Sequence, residues 1–156
     1  MKYEKTKEIL NQLVADLSQA VVVIHQAHWY MRGTSFMRLH PLMDDYMDQL
    51  NGDLDEISER LITLDGAPYS TMEEFIEHTG IKSEKGSYAK DINDHLAHVV
   101  EIFRYIADKY QEGIEASAEE GDDVTNDILI GAKTIVEKNI WMLQATQGKA
   151  PNIDPA

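Results

Sequence analysis

Four long stretches of the chain repeat their apolar residues every three or four positions, and almost nothing in it alternates with the period of a strand. Leu10, Leu13, Val14, Leu17, Val21, Ile24 and Ala27 share one helical face, which predicts a helix over about 4–31. Arg32-Gly33-Thr34-Ser35 breaks it. Leu39, Leu42, Met43, Tyr46, Leu50, Leu54, Ile57, Leu61 and Leu64 predict a second helix as far as Asp65, where Gly66 and Pro68 supply the stop. Ile92, Leu96, Val99, Phe103, Ile106 and Tyr110 mark a third, and Val124, Ile128, Leu129, Ile135, Val136, Ile140 and Leu143 a fourth. Between the second and third, Ser70-Thr71-Met72-Glu73 has capping-box spacing and predicts a short helix through about His78, ended by Gly80. The expected fold is all-α: one domain over residues 1–156, a four-helix bundle with a short extra helix between helices two and three. The long mid-chain connection allows an up-down-down-up order.

A chain of this size can bury a core without staples, and its lack of cysteine removes disulfides, thiolate metal sites and thiol nucleophiles. Nothing approaches the roughly 18 apolar residues of a membrane span. The opening MKYEKTKEILNQL carries charges where a signal peptide is apolar, so the expected location is the cytoplasm. A net charge of −14 argues against binding to phosphate backbones and suits cationic partners, metal ions included.

One set of side chains has metal-ligand chemistry and an ordered spacing. At about 100° per residue, His40, Asp44, Asp48, Asp55 and Glu59 lie on one face of the second helix. His40 and Asp55 are nevertheless roughly 22 Å apart along it, so one chain cannot bring them to one ion. His28 and His40 are equidistant from Thr34 in the predicted turn, so an antiparallel hairpin sets them side by side, with Asp44 one turn further on. Asp44 and Asp55, like His40 and Glu59, are equidistant from the point between Gln49 and Leu50. Two copies of this helix packed antiparallel across a two-fold axis would bring Asp55 and Glu59 of one chain to His28, His40 and Asp44 of the other, twice, and Gly52 would let the helices approach. Imidazole and carboxylate without sulfur suit iron, manganese or zinc, and the rearrangements open to carboxylates suit iron oxidation; zinc binding without turnover stays open. Trp29, beside His28, either packs or donates an electron to an oxidant at the metal. His25 reads as a structural or surface neighbour, and His95 and His98 as exposed.

HWYMRG, followed by Phe36, His40, Asp44 and DLDEISERL, and later by EGDDVTNDIL and KNIWML, resembles the Dps family of miniature ferritins over nearly the whole chain. The resemblance implies a ferritin-like bundle assembled as a homo-oligomer, a hollow dodecamer with ferroxidase sites at its two-fold interfaces. Carried over by position, the metal ligands are His28, His40 and Asp44 from one subunit and Asp55 and Glu59 from its mate. It implies oxidation of Fe(II), preferentially by hydrogen peroxide, and storage of ferric mineral, hence peroxide resistance and protection from oxidative stress. Asp122, Asp123 and Asp127 match the acidic segment of the pores that admit iron, although acids opening a helix also satisfy its dipole. Asp45 or Asp48 would nucleate mineral, a role left open because Pro41 stands where some relatives carry another acid.

Three other readings compete. DNA-coating relatives extend lysine-rich tails, whereas the first eight residues here hold three lysines and two glutamates and GKAPNIDPA offers one lysine, so direct DNA binding is not expected. A di-iron site inside each chain needs Glu-x-x-His pairs, and the residues three before the six histidines are Val22, His25, Met37, Phe75, Ile92 and His95. A non-catalytic metal-binding helical oligomer would differ from the favoured reading in lacking iron turnover.

Overall fold

The computed structural model describes residues 2–153. Among them run five helices, α1 (Glu4–Tyr30), α2 (Phe36–Thr63), α3 (Met72–His78), α4 (Ile92–Glu120) and α5 (Asp123–Thr146). No helix among the described residues is long and apolar enough to cross a membrane. Gly33, with φ of 140°, takes the α1–α2 turn through a conformation that L side chains rarely adopt. α2 begins at Phe36, so His40 and Pro41 both lie inside the helix. α4 ends on Gly121, left-handed at φ of 74°, and α5 follows at once with Asp122 as its cap.

The expected capping box forms one residue later than its spacing suggested. Thr71, not Ser70, accepts from the Glu74 amide, and the Glu74 carboxylate accepts from the amides of both Ser70 and Thr71. The sequence STMEE offers either register, and the later one satisfies one more backbone donor.

Contacts at the helix ends set the topology. His28 at the end of α1 meets His40 near the start of α2, so that hairpin is antiparallel. Glu120 at the end of α4 accepts from the amides of Lys5 and Thr6 and from the Thr6 hydroxyl, at 3.0, 2.9 and 2.7 Å. It therefore caps α1 from across the bundle, where Tyr3 provides no side-chain cap. Arg60, near the end of α2, reaches Asp122 at the start of α5. The order is up-down-down-up, with α4 packed between α1 and α5.

Leu17, Ile24, Met43, Leu50, Ile57, Phe103, Ile106 and Val136 fill the core from all four long helices. The carboxylates of Asp16 and Asp53 are buried beside them. Asp16 on α1 accepts from Thr79 Oγ1, Gly80 N, Tyr105 Oη and Gln12 Nε2 at 2.8–3.1 Å, pinning the crossover segment to α1 and α4. Asp53 on α2 accepts from Tyr110 Oη and Gln49 Nε2, each at 3.0 Å. Burial pushes the Asp53 carboxyl above its usual range, and these two hydrogen bonds oppose that rise.

Candidate metal centre

Helical backbone orients two imidazoles where α1 meets α2. The His28 carbonyl is one of the last four of α1, which no amide of the helix reaches. His40 Nδ1 lies 2.8 Å from it, and His28 Nδ1 lies 2.7 Å from the His40 carbonyl. A carbonyl only accepts, so in each neutral ring the proton sits on Nδ1 and the Nε2 lone pair is free. The rings stack with centroids 3.6 Å apart and planes 11° apart, and Phe36 stacks on His40 at 4.7 Å.

His28, 8% exposed, places Nε2 3.6 Å from Asp44 Oδ1. That is too long for a direct hydrogen bond. It falls in the range for two ligands of one ion, which at bonds of about 2.1 Å stand roughly 3–4 Å apart. Among the described residues no group of three or more His, Asp or Glu side chains is gathered to hold an ion within the chain. The chain thus pairs His28 with His40 and sets Asp44 beside His28, short of a three-ligand group of its own. Asp55 and Glu59 stand exposed further along α2, and nothing within 4 Å would meet a Cβ placed on Gly52.

Trp29, 64% exposed, lies against His25 with ring centroids 3.7 Å apart, and His25 is 5.9 Å from His28. His25 is thus a neighbour of Trp29 rather than part of the imidazole pair. Asp45 and Asp48 are exposed on α2.

Two expectations need correction. His95 is buried, not exposed, and His98 is half-buried beside Glu101 at 3.4 Å. α4 packs against α1 on one side and α5 on the other, so its covered arc is wider than one amphipathic stripe. Desolvation holds the His95 pKa below its ordinary value. Asp122 does not line a surface: it is 2% exposed and caps α5. It accepts from Thr125 and, at 2.7 Å, from Arg60. Burial works to raise the Asp122 pKa, but the bonds from Thr125 and Arg60 outweigh it and hold the carboxyl below the usual value. Asp123 and Asp127 are exposed and four residues apart on α5.

Sequence reasoning missed the buried Asp53–Tyr110 pair and the part played by Arg60. A carboxylate three residues before Thr125 was the available signal for an inward cap.

The ferritin-like domain family matches residues 7–153. The DNA protection during starvation protein of Streptococcus suis is 56% identical over 148 residues, covering 95% of this chain and 86% of that protein. Its counterpart in Listeria innocua is 43% identical over 146 residues, 94% of each chain. Dps from Listeria monocytogenes superposes with a TM-score of 0.92 at 43% identity, covering 94% of this chain and 96% of that one. Antigen TpF1 from Treponema pallidum superposes with a TM-score of 0.89 at 32% identity, covering 92% of both. Listeria innocua Dps, similar at 42–44% identity, has been solved after soaking with cobalt and with zinc.

Proposed function

This chain belongs to the Dps family of ferritin-like proteins, and on that footing we propose that it is a ferroxidase and iron-storage protein. Its substrate is Fe(II), its preferred oxidant is hydrogen peroxide, and its ferric product is kept as mineral inside a hollow shell of twelve copies. The observation that carries the reading is the reciprocal lock between His28 and His40, which leaves both Nε2 lone pairs free, that of His28 3.6 Å from Asp44 Oδ1.

In this proposal Asp55 and Glu59 of the partner subunit complete each site, because they are the mirror positions of Asp44 and His40 along α2. Asp44 would then face Asp55 of the partner subunit, two like charges whose repulsion a bound cation relieves. Imidazole and carboxylate together accept Fe(II), and the carboxylates suit the harder Fe(III) that oxidation leaves. Two Fe(II) ions give up two electrons, which with two protons reduce one hydrogen peroxide to two waters, so no hydroxyl radical leaves. Trp29, which follows His28 in the chain and lies against His25, is proposed to supply an electron when only one Fe(II) is present. Asp123 and Asp127 are proposed to line the pores that admit iron, with Asp122 serving only as the cap of α5. Asp45 and Asp48 remain the proposed nucleating carboxylates.

The relatives are named for protecting DNA. Here the protection is proposed to be chemical, through removal of Fe(II) and peroxide, since a net charge of −14 offers little to a phosphate backbone.

The test is an anaerobic Fe(II) titration of the purified protein followed by hydrogen peroxide, reading ferric absorbance and spin-trapped radicals together. Rapid oxidation with suppressed radicals in a soluble iron-loaded particle is expected. Oxidation no faster than that of protein-free iron would reduce the reading to a metal-binding oligomer.

A further inference from the structure

The outward face of α2 is acidic except at its two ends. Asp44, Asp48, Asp55 and Glu59 are exposed along it, and at about 100° per residue Met37 and Ile62 fall on the same face. Both are large, apolar and open to solvent in the single chain, Met37 at 81% and Ile62 at 60%. Met37 lies twelve residues before Gln49 and Ile62 twelve residues after Leu50. They are therefore mirror positions about the same point that relates Asp44 to Asp55 and His40 to Glu59. Asp48 and Asn51, which flank that point, are a mirror pair as well, a carboxylate facing an amide.

Every such pair is chemically matched: apolar with apolar, imidazole with carboxylate, acceptor with amide donor. The exception is Asp44 with Asp55, where a cation is needed. A surface that complements itself under one two-fold operation has a second copy of this chain as its natural occupant. Met37 sits three residues outward of His40, and Ile62 three residues outward of Glu59, so the apolar pair falls one helical turn beyond the ligands, away from the two-fold axis. Phe36, already stacked on His40, adds to the apolar wall on that side.

We propose that Met37 of one protomer and Ile62 of the partner subunit meet as an apolar lid over the outer end of each shared metal site. The lid excludes water there and leaves the acidic side, nearer the axis, as the way in for Fe(II). The placement rests on the two-fold pairing proposed above, and the closing role rests on the ferroxidase reading.

Because the chain has no cysteine, the contact can be tested without background. A Met37→Cys/Ile62→Cys variant treated with a short bis-maleimide is expected to give a covalent dimer on denaturing gels and nothing larger. Met37→Cys alone is expected to stay monomeric, because the two copies of residue 37 would stand roughly 37 Å apart along the helices. No crosslink, or a ladder of higher species, overturns the contact. For the closing role, Ile62→Asn is expected to raise spin-adduct yield per iron oxidised several-fold, and an unchanged yield overturns it. The crosslink is read without iron. A wild-type protein that oxidises no iron, while the double-cysteine variant still crosslinks, therefore overturns the ferroxidase reading and the closing role but not the contact.

Discussion

Arg60 and Asp122 form an ion pair 2.7 Å long with side chains only 15% and 2% exposed, joining the last turn of α2 to the cap of α5. Removing one partner strands the other with little water to solvate it. Asp122→Ala is expected to destabilise the fold by about 3 kcal/mol, more than the cap alone accounts for. Asp123→Ala, exposed on the next residue, should stay within about 0.5 kcal/mol. Urea unfolding of both variants checks the contrast. The Asp122 carboxyl is held below its ordinary value of 3.8, so its contribution is present above that pH and is lost as the pH falls through the folded-state value. The gap between wild type and Asp122→Asn should therefore close in strong acid.

Sites shared between chains make a prediction that sites within chains do not. His40→Ala and Asp55→Ala should each lose most iron oxidation while still assembling. When the two variants are mixed by co-expression, each mixed dimer regains one intact site, because one protomer supplies its histidines and the other its Asp55. Random pairing then restores about a quarter of the wild-type sites. Initial rates of ferric absorbance give the readout, and no recovery in verified mixed dimers would rule out sharing.

Trp29 is exposed and in ring contact with His25, beside the imidazole pair. If it supplies an electron at singly loaded sites, peroxide added at less than one Fe(II) per site should produce a tryptophan radical signal. Freeze-quench paramagnetic resonance is expected to lose that signal in Trp29→Phe and to gain escaping spin adducts. A signal that survives the substitution belongs to another residue, Trp141 being the remaining tryptophan.

The Asp53 pKa is shifted in the opposite direction to that of Asp122. Burial raises its folded-state pKa above the 3.8 of the unfolded chain, and the bonds from Tyr110 and Gln49 offset this only in part. The folded protein thus holds this proton longer, and the associated stability is full in acid and lost as the pH rises through the folded-state value. Asp53→Asn does not titrate and can still bond with Tyr110. Its stability relative to wild type is expected to improve from acid toward neutral pH, and urea midpoints at both ends of that window would expose a flat difference.

The long helices were legible because a period of 3.6 sustained over more than twenty residues suits a helix and no strand or loop. The imidazole pair was legible for a similar reason, since a tight turn makes positions equidistant from Thr34 neighbours. What escaped the sequence depended on partners far along the chain. Asp122 points inward because of Arg60, 62 positions away, and His95 is covered because α4 has neighbours on two sides. The register of the α3 capping box was degenerate in STMEE and was settled by the backbone amides that Glu74 reaches. Asp55 and Glu59 are not joined to the histidines in the folded chain, so their membership of the site still rests on mirror spacing.

The two imidazoles are held by main-chain oxygens rather than by other side chains, and this bears on how an arriving ion is bound. Main-chain acceptors persist through any substitution that leaves the helix ends in place, so the orientation of the rings tolerates mutation of their surroundings. Rotamer freedom at both residues is already lost on folding, so an ion does not have to order them when it binds. In the proposed ferroxidase cycle, release of oxidised iron would likewise leave the nitrogens in position for the next ion.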